Sequence, residues 1–148
     1  MNSLSEVDKA YIAGLLDGEG CIGYYNASNK SPNRPPYYHA SVNICNTDPR
    51  PILWLQEVTG IGRSAITTFK DGKRRPAYQW QIGRKKQVQQ FLEVVRPYLR
   101  IKDKQADVLV TALILESSYT KRHGSVTPEV VAVRRETELA LKVLKRAA

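Results

Sequence analysis

The spacing of hydrophobic and polar residues changes several times along this chain, and each change marks an element. Ile12, Leu15 and Leu16 fall at helical spacing behind Ser5, which can cap a helix with Asp8 as its reciprocal partner. Gly18-Glu19-Gly20 ends that helix, and Cys21-Ile22-Gly23-Tyr24-Tyr25 is rich in strand formers. A polar, proline-rich loop follows over residues 28–36. Tyr38, Ala40, Val42 and Ile44 then alternate with His39, Ser41 and Asn43, which predicts a strand with one apolar and one polar face. Asp48 caps a second helix through Ile52, Leu55 and Val58 to Gly60. Residues 63–69 and 77–82 predict a strand pair turned at Asp71-Gly72. Three helices close the chain. The first, over 85–98 and ended near Pro97, rests on Val88, Phe91, Leu92 and Val95, and the second on Ala106, Leu109, Val110, Leu113 and Ile114. The last is opened by Thr127-Pro128 and buries Val130, Val133, Ala140, Leu141 and Leu144.

This order predicts an α+β fold: one domain over residues 1–148, with four antiparallel strands covered by helices on one face. The other sheet face carries Tyr25, His39, Ser41, Asn43, Gln79 and Gln81, hydrogen-bonding side chains without a carboxylate. Such a face suits base edges and phosphates, or is an ordinary wet sheet face. Thr68 joins it if the strand parity holds past Ile66.

At 42% hydrophobic residues, 148 residues can bury a core without a disulfide or metal staple. No apolar run approaches the roughly 20 residues of a membrane span, and the first residues lack a signal-peptide pattern, so neither membrane nor secretion is expected. Cys21 and Cys45 make no disulfide framework, lack zinc spacing with His39 and His123, and read as small buried side chains. Gly60-Ile61-Gly62 precedes a strand, so it is a turn and not a dinucleotide fingerprint.

Charge adds more. The net charge is +9, and residues 70–104 alone carry +8 while residues 1–69 carry −1. So concentrated a basic block implies a polyanion partner, against the alternative of a solvated basic face. The end of the first helix is the other oddity. Gly14 and Gly18, with Ala13 beside them, form a small-residue stripe that lets another backbone approach. Asp17 and Glu19 sit at the helix C-terminus, where the macrodipole disfavours acids, and no basic residue lies between Lys9 and Lys30. Either a divalent cation offsets them or they are two solvated acids at a frayed end.

Ile12-Ala13-Gly14-Leu15-Leu16-Asp17-Gly18-Glu19-Gly20 resembles the LAGLIDADG motif of homing endonucleases, seven of nine positions matching in kind. The stretch from Asn43 to Asp48, and that from Phe91 to Ala106, are also similar to chloroplast-type members. The resemblance implies an αββαββα core with a saddle-shaped sheet and extra C-terminal helices. With one motif copy it implies a homodimer, paired at the two-fold axis through Ala13, Gly14, Asp17 and Gly18.

The activity implied is Mg²⁺-dependent cleavage of both strands of a long pseudo-palindromic DNA site, leaving 3′ overhangs, with Ca²⁺ supporting binding without cleavage. Glu19 and the carbonyl of Gly18 match metal ligands, Lys102 a basic residue near the scissile phosphate, and Asn46 and Arg50 polar residues around the attacking water. DNA contacts are expected from Tyr25, Asn29, Lys30, Arg34, Tyr37, His39, Ser41 and Asn43 in the first hairpin, and from Thr68, Lys70, Lys73, Arg74, Arg75, Gln79 and Gln81 in the second. The resemblance also implies an intracellular, intron-encoded protein of an organelle or a prokaryote. An intron RNA maturase or a DNA-binding repressor on the same scaffold is the alternative.

Overall fold

Ser5 opens the first helix, α1 (Glu6–Glu19), by reciprocal capping: its hydroxyl accepts from the Asp8 N–H, and the Asp8 carboxylate accepts from the Ser5 N–H, both at 3.1 Å. The computed structural model describes residues 1, 3–27, 37–123 and 126–147, the side chains of 121–123 excepted. α1 buries Ile12, Ala13 and Leu16 and runs straight into strand β1 (Gly20–Asn26). The corner needs glycine, because a Cβ at Gly20 would lie 2.5–2.9 Å from Leu16.

β1 pairs with β2 (Tyr38–Asn46), β2 with β4 (Ala77–Ile82), and β4 with β3 (Arg63–Thr67), all antiparallel, giving the order β1-β2-β4-β3. The period-2 pattern of β2 is borne out: Tyr38, Ala40, Val42 and Ile44 are buried, facing the core with Ile22, Tyr24, Trp80 and Ile82. The helices α1, α2 (Pro49–Thr59) and α3 (Lys85–Val95) pack on this sheet and contribute Ile52, Leu55, Phe91 and Leu92 to the same core. α2 starts at Asp48, whose carboxylate accepts from the Arg50 N–H at 2.9 Å, and stops at Gly60, in the left-handed conformation with φ +64°. Trp80 ties the following turn down by donating to the Ile61 carbonyl at 3.0 Å.

Three expectations about the elements change. β3 ends at Thr67 rather than at Phe69, while β4 begins at Ala77 as read. Asp71 caps its own loop by accepting from the N–H groups of Lys73 and Arg74, and Gly72 takes φ +63°. The end near Pro97 holds: α3 stops at Val95 and a 3₁₀ turn (Arg96–Tyr98) follows. In α4 (Asp103–His123), Ile114 is exposed while Ala112 is buried. In α5 (Pro128–Ala147) the buried face is Val130, Arg134, Thr137 and Leu141, and Val133, Ala140 and Leu144 are only half-buried.

Arg134 turns α5 that way. Its guanidinium donates to buried Glu116 of α4, which also receives Lys85 of α3 at 2.5 Å and the Tyr24 hydroxyl at 3.1 Å. Burial alone would raise the Glu116 carboxyl. The hydrogen bonds from Arg134 and Lys85 outweigh that and hold it below its ordinary value. Burial, with Glu116 beside it, pushes the Tyr24 phenol far up. α5 also flanks β1, with Lys145 Nζ 3.6 Å from Cys21 Sγ, and so covers a sheet edge. Cys21 is nonetheless exposed and Cys45 half-buried, not the buried pair expected, because both lie on the sheet face away from the helices.

Candidate functional site

The C-terminal end of α1 has no basic residue in its last turn. Lys102, 85 positions further on, supplies the missing charge, donating from Nζ to the Asp17 carbonyl at 2.5 Å. The Asp17 carboxylate closes the same contact. Its Oδ2 accepts from the N–H groups of Arg100 (2.7 Å) and Ile101 (3.2 Å), and its Oδ1 from that of Lys102 (3.0 Å). Asp17 therefore staples the turn before α4 to the end of α1, and its carboxylate is occupied inside the chain rather than offered to a partner. Ala13 is likewise turned inward and fully buried. Gly14 and Gly18 are exposed, and a Cβ on either would meet nothing within 4 Å, so the stripe is narrower than expected and open.

Glu19 is exposed and makes no hydrogen bond or ion pair among the described residues. Gly18 supplies one of the last four carbonyls of α1, which have no partner within the helix. Both are hard oxygen donors, the chemistry a divalent cation takes. Within one copy, the described residues hold no cluster of three or more His, Cys, Asp or Glu suited to a metal.

Gly20 pairs with Ile44, which sets the end of β2 beside the end of α1. Burial, then neighbouring Cys21 and Glu19, pushes the Cys45 thiol up. Asn46 Oδ1 accepts from the Asp48 N–H at 2.9 Å. The Arg50 guanidinium folds back onto Asp48, with Nε at 3.0 Å from both carboxylate oxygens. That hydrogen bonding brings the Asp48 carboxyl down to about 2. Asn46 and Arg50 thus share one capping knot at the start of α2.

The sheet face away from the helices carries Tyr25, His39, Asn43, Gln79 and Gln81, as read from the alternation. Tyr25 and His39 pair edge to face at 5.5 Å. Ser41 shares this face but is buried opposite Gly23, where a Cβ would lie 2.6 Å from its hydroxyl. Thr68 falls beyond the end of β3, and the register puts Arg63, Ala65 and Thr67 on the outer face instead. Arg63 and Thr67 are additions to the sequence reading, which had no register to place them.

Lys70, Lys73, Arg74 and Arg75 are exposed on the 68–76 connection. Arg74 is held by Asp71 at 2.7 Å and lies 4.0 Å from the Phe69 ring centre. Tyr37 is exposed, with Lys85 Nζ 5.7 Å from its ring centre. Asn29, Lys30 and Arg34 lie outside the described residues.

No protein-family model matches this sequence, and no curated protein does. Solved structures do match. Helices over one face of this four-stranded sheet make the fold of the LAGLIDADG homing endonucleases. The homing endonuclease I-CvuI superposes with a TM-score of 0.74 at 21% identity, over 94% of this chain and 82% of that one. It was solved with uncleaved DNA in magnesium and with its own target in calcium. I-TnaI gives 0.69 at 18% identity and covers 93% of both chains. I-Vdi141I, an archaeal intron-encoded homing endonuclease complexed with DNA, gives 0.68 at 14% identity, over 97% of this chain and 85% of that one.

Proposed function

We propose that this protein is a site-specific, divalent-metal-dependent double-strand DNA endonuclease that works as a homodimer. Glu19 carries the reading. It is an exposed carboxylate with no hydrogen bond or ion pair among the described residues, at the α1 end that Asp17 and Lys102 brace. The outer sheet face and the basic 68–76 connection begin at the same end, since Gly20, Asn46, Thr67 and Ala77 all lie there in the register.

Two copies paired through the open Gly14 and Gly18 face bring two Glu19 carboxylates together over the DNA. Their mutual repulsion makes pairing depend on a cation. When bound to Glu19 and the Gly18 carbonyl, magnesium would supply charge neutralisation at the scissile phosphate. Lys102 adds a fixed positive charge close to that phosphate. Asn46 and Arg50, held by Asp48, orient the water that attacks it. Cleavage of one bond on each strand of a pseudo-palindromic site leaves 3′ overhangs, and Ca²⁺ supports binding without the chemistry.

Selection from a randomised duplex library in Ca²⁺, chased with Mg²⁺, is expected to recover a symmetric site cut with 3′ overhangs. Glu19→Gln is expected to retain the dimer and DNA binding and lose cleavage by at least about 100-fold. Full cleavage by that variant would remove Glu19 from the chemistry. Specific binding without any Mg²⁺-dependent cut by the wild type would make this chain a repressor instead.

A further inference from the structure

A second basic site lies where β3 and α3 begin. Arg63 at the start of β3, Gln81 and His39 on the outer face, and Arg84 and Gln87 at the start of α3 line one cleft of about 550 Å³, with the backbone of Gly60, Gly62 and Gly83 between them. No carboxylate is among its lining residues. Two of the glycines let its walls pack closely. Gly62 has φ +78°, and a Cβ there would strike the Gln81 carbonyl at 2.8 Å; one on Gly83 would press on the His39 ring at 3.1 Å. Arg84 occupies the N-cap position of α3 without making a side-chain cap bond. Two guanidiniums, an imidazole and two amides with no acid among them are a donor set for a phosphate.

We infer that this cleft grips a DNA backbone phosphate beside the bases read by the sheet, with Arg63 and Arg84 as its charged contacts. The inference rests on the DNA-binding reading above. The register gives its place. Arg63 pairs with Gln81, Gln81 with Asn43 and Asn43 with Cys21, so Arg63 lies one rung along from Gly20 but three strands across the sheet, while His39 lies five rungs from Ile44 along β2. The cleft therefore acts as a lateral anchor on the β3 side of the sheet, holding the sheet on the duplex without reading sequence.

The test measures binding of a mixed-sequence 30-bp duplex in Ca²⁺ against salt, for the wild type, Arg63→Gln/Arg84→Gln, and Lys9→Gln/Arg96→Gln as a control of equal charge loss on the helix layer. Loss of one phosphate contact is expected to reduce the slope of log K against log salt by about 0.9 in the cleft variant only. Both cleft arginines are exposed, so thermal melting is expected to match the wild type. A wild type that binds with a steep slope the cleft variant does not change overturns the cleft and leaves the endonuclease reading standing. An equal drop in the helix-layer control reduces the effect to net charge and also overturns it. A wild type with no salt-dependent duplex binding removes both.

Discussion

Asp17 and Glu19 stand two residues apart and have opposite roles. Asp17 accepts three N–H bonds from 100–102, whereas Glu19 has no hydrogen-bond or ion-pair partner among the described residues. Asp17→Asn keeps one acceptor oxygen and turns an amide toward N–H donors. It is expected to destabilise the fold by roughly 2–3 kcal/mol in urea titration. Glu19→Gln is expected to change stability by no more than about 0.5 kcal/mol. Equal losses would mean the two acids share one role. The motif exposed both acids in the sequence. It could not show Lys102 over the Asp17 carbonyl, since that contact spans 85 positions and has no local signature.

Glu116 was invisible for a related reason. An acid in mid-helix reads as solvated, and only packing sets it beneath Tyr24 between Lys85 and Arg134. Because its folded pKa is lowered, the unfolded chain takes up its proton more readily. Its contribution to stability is thus full above its ordinary value of 4.5 and fades as the pH falls below that. Melting temperatures of wild type and Glu116→Gln, measured from pH 7 to pH 3, are expected to converge at the acid end. Parallel curves would contradict the assignment.

Among the elements, β2 was the most legible, because one buried face and one open face imprint a period of two on Tyr38 to Ile44. The β3–β4 connection was the least. Asp71-Gly72 has the composition of a tight turn, yet β3 has an exposed edge position that gives its residues little burial to fix where pairing ends. The α5 stripe went astray because Arg134 is buried by an ion pair that no hydrophobic period encodes. For α1, the open Gly14 allows two effects to be separated. Gly14→Leu is expected to raise helix stability by up to about 1 kcal/mol while blocking close approach of another helix. Sedimentation of that variant is expected to show a monomer with an unchanged or higher melting temperature. A dimer of normal affinity would move the partner contact away from this face.

At the scale of the whole molecule, the +8 carried by residues 70–104 becomes spatial. Part of it lies on the 68–76 connection at the Glu19 end of the sheet, and Arg84 lies in the cleft where β3 and α3 begin. Under the proposed function, such a distribution would hold a rod-like polyanion along the strands rather than at one point. The bracing of α1 carries a further consequence, for timing. A chain growing from its N-terminus completes α1 and all four strands by residue 82, but the N–H groups and the ammonium that brace Asp17 arrive only with residues 100–102. The Tyr98 hydroxyl that anchors Glu6 arrives equally late. Until those residues leave the ribosome, the end of α1 that carries Glu19 rests on the sheet and on the Gly20–Ile44 pairing without its brace. Under the proposed function, the nascent chain acquires its cutting geometry only after its sheet is complete.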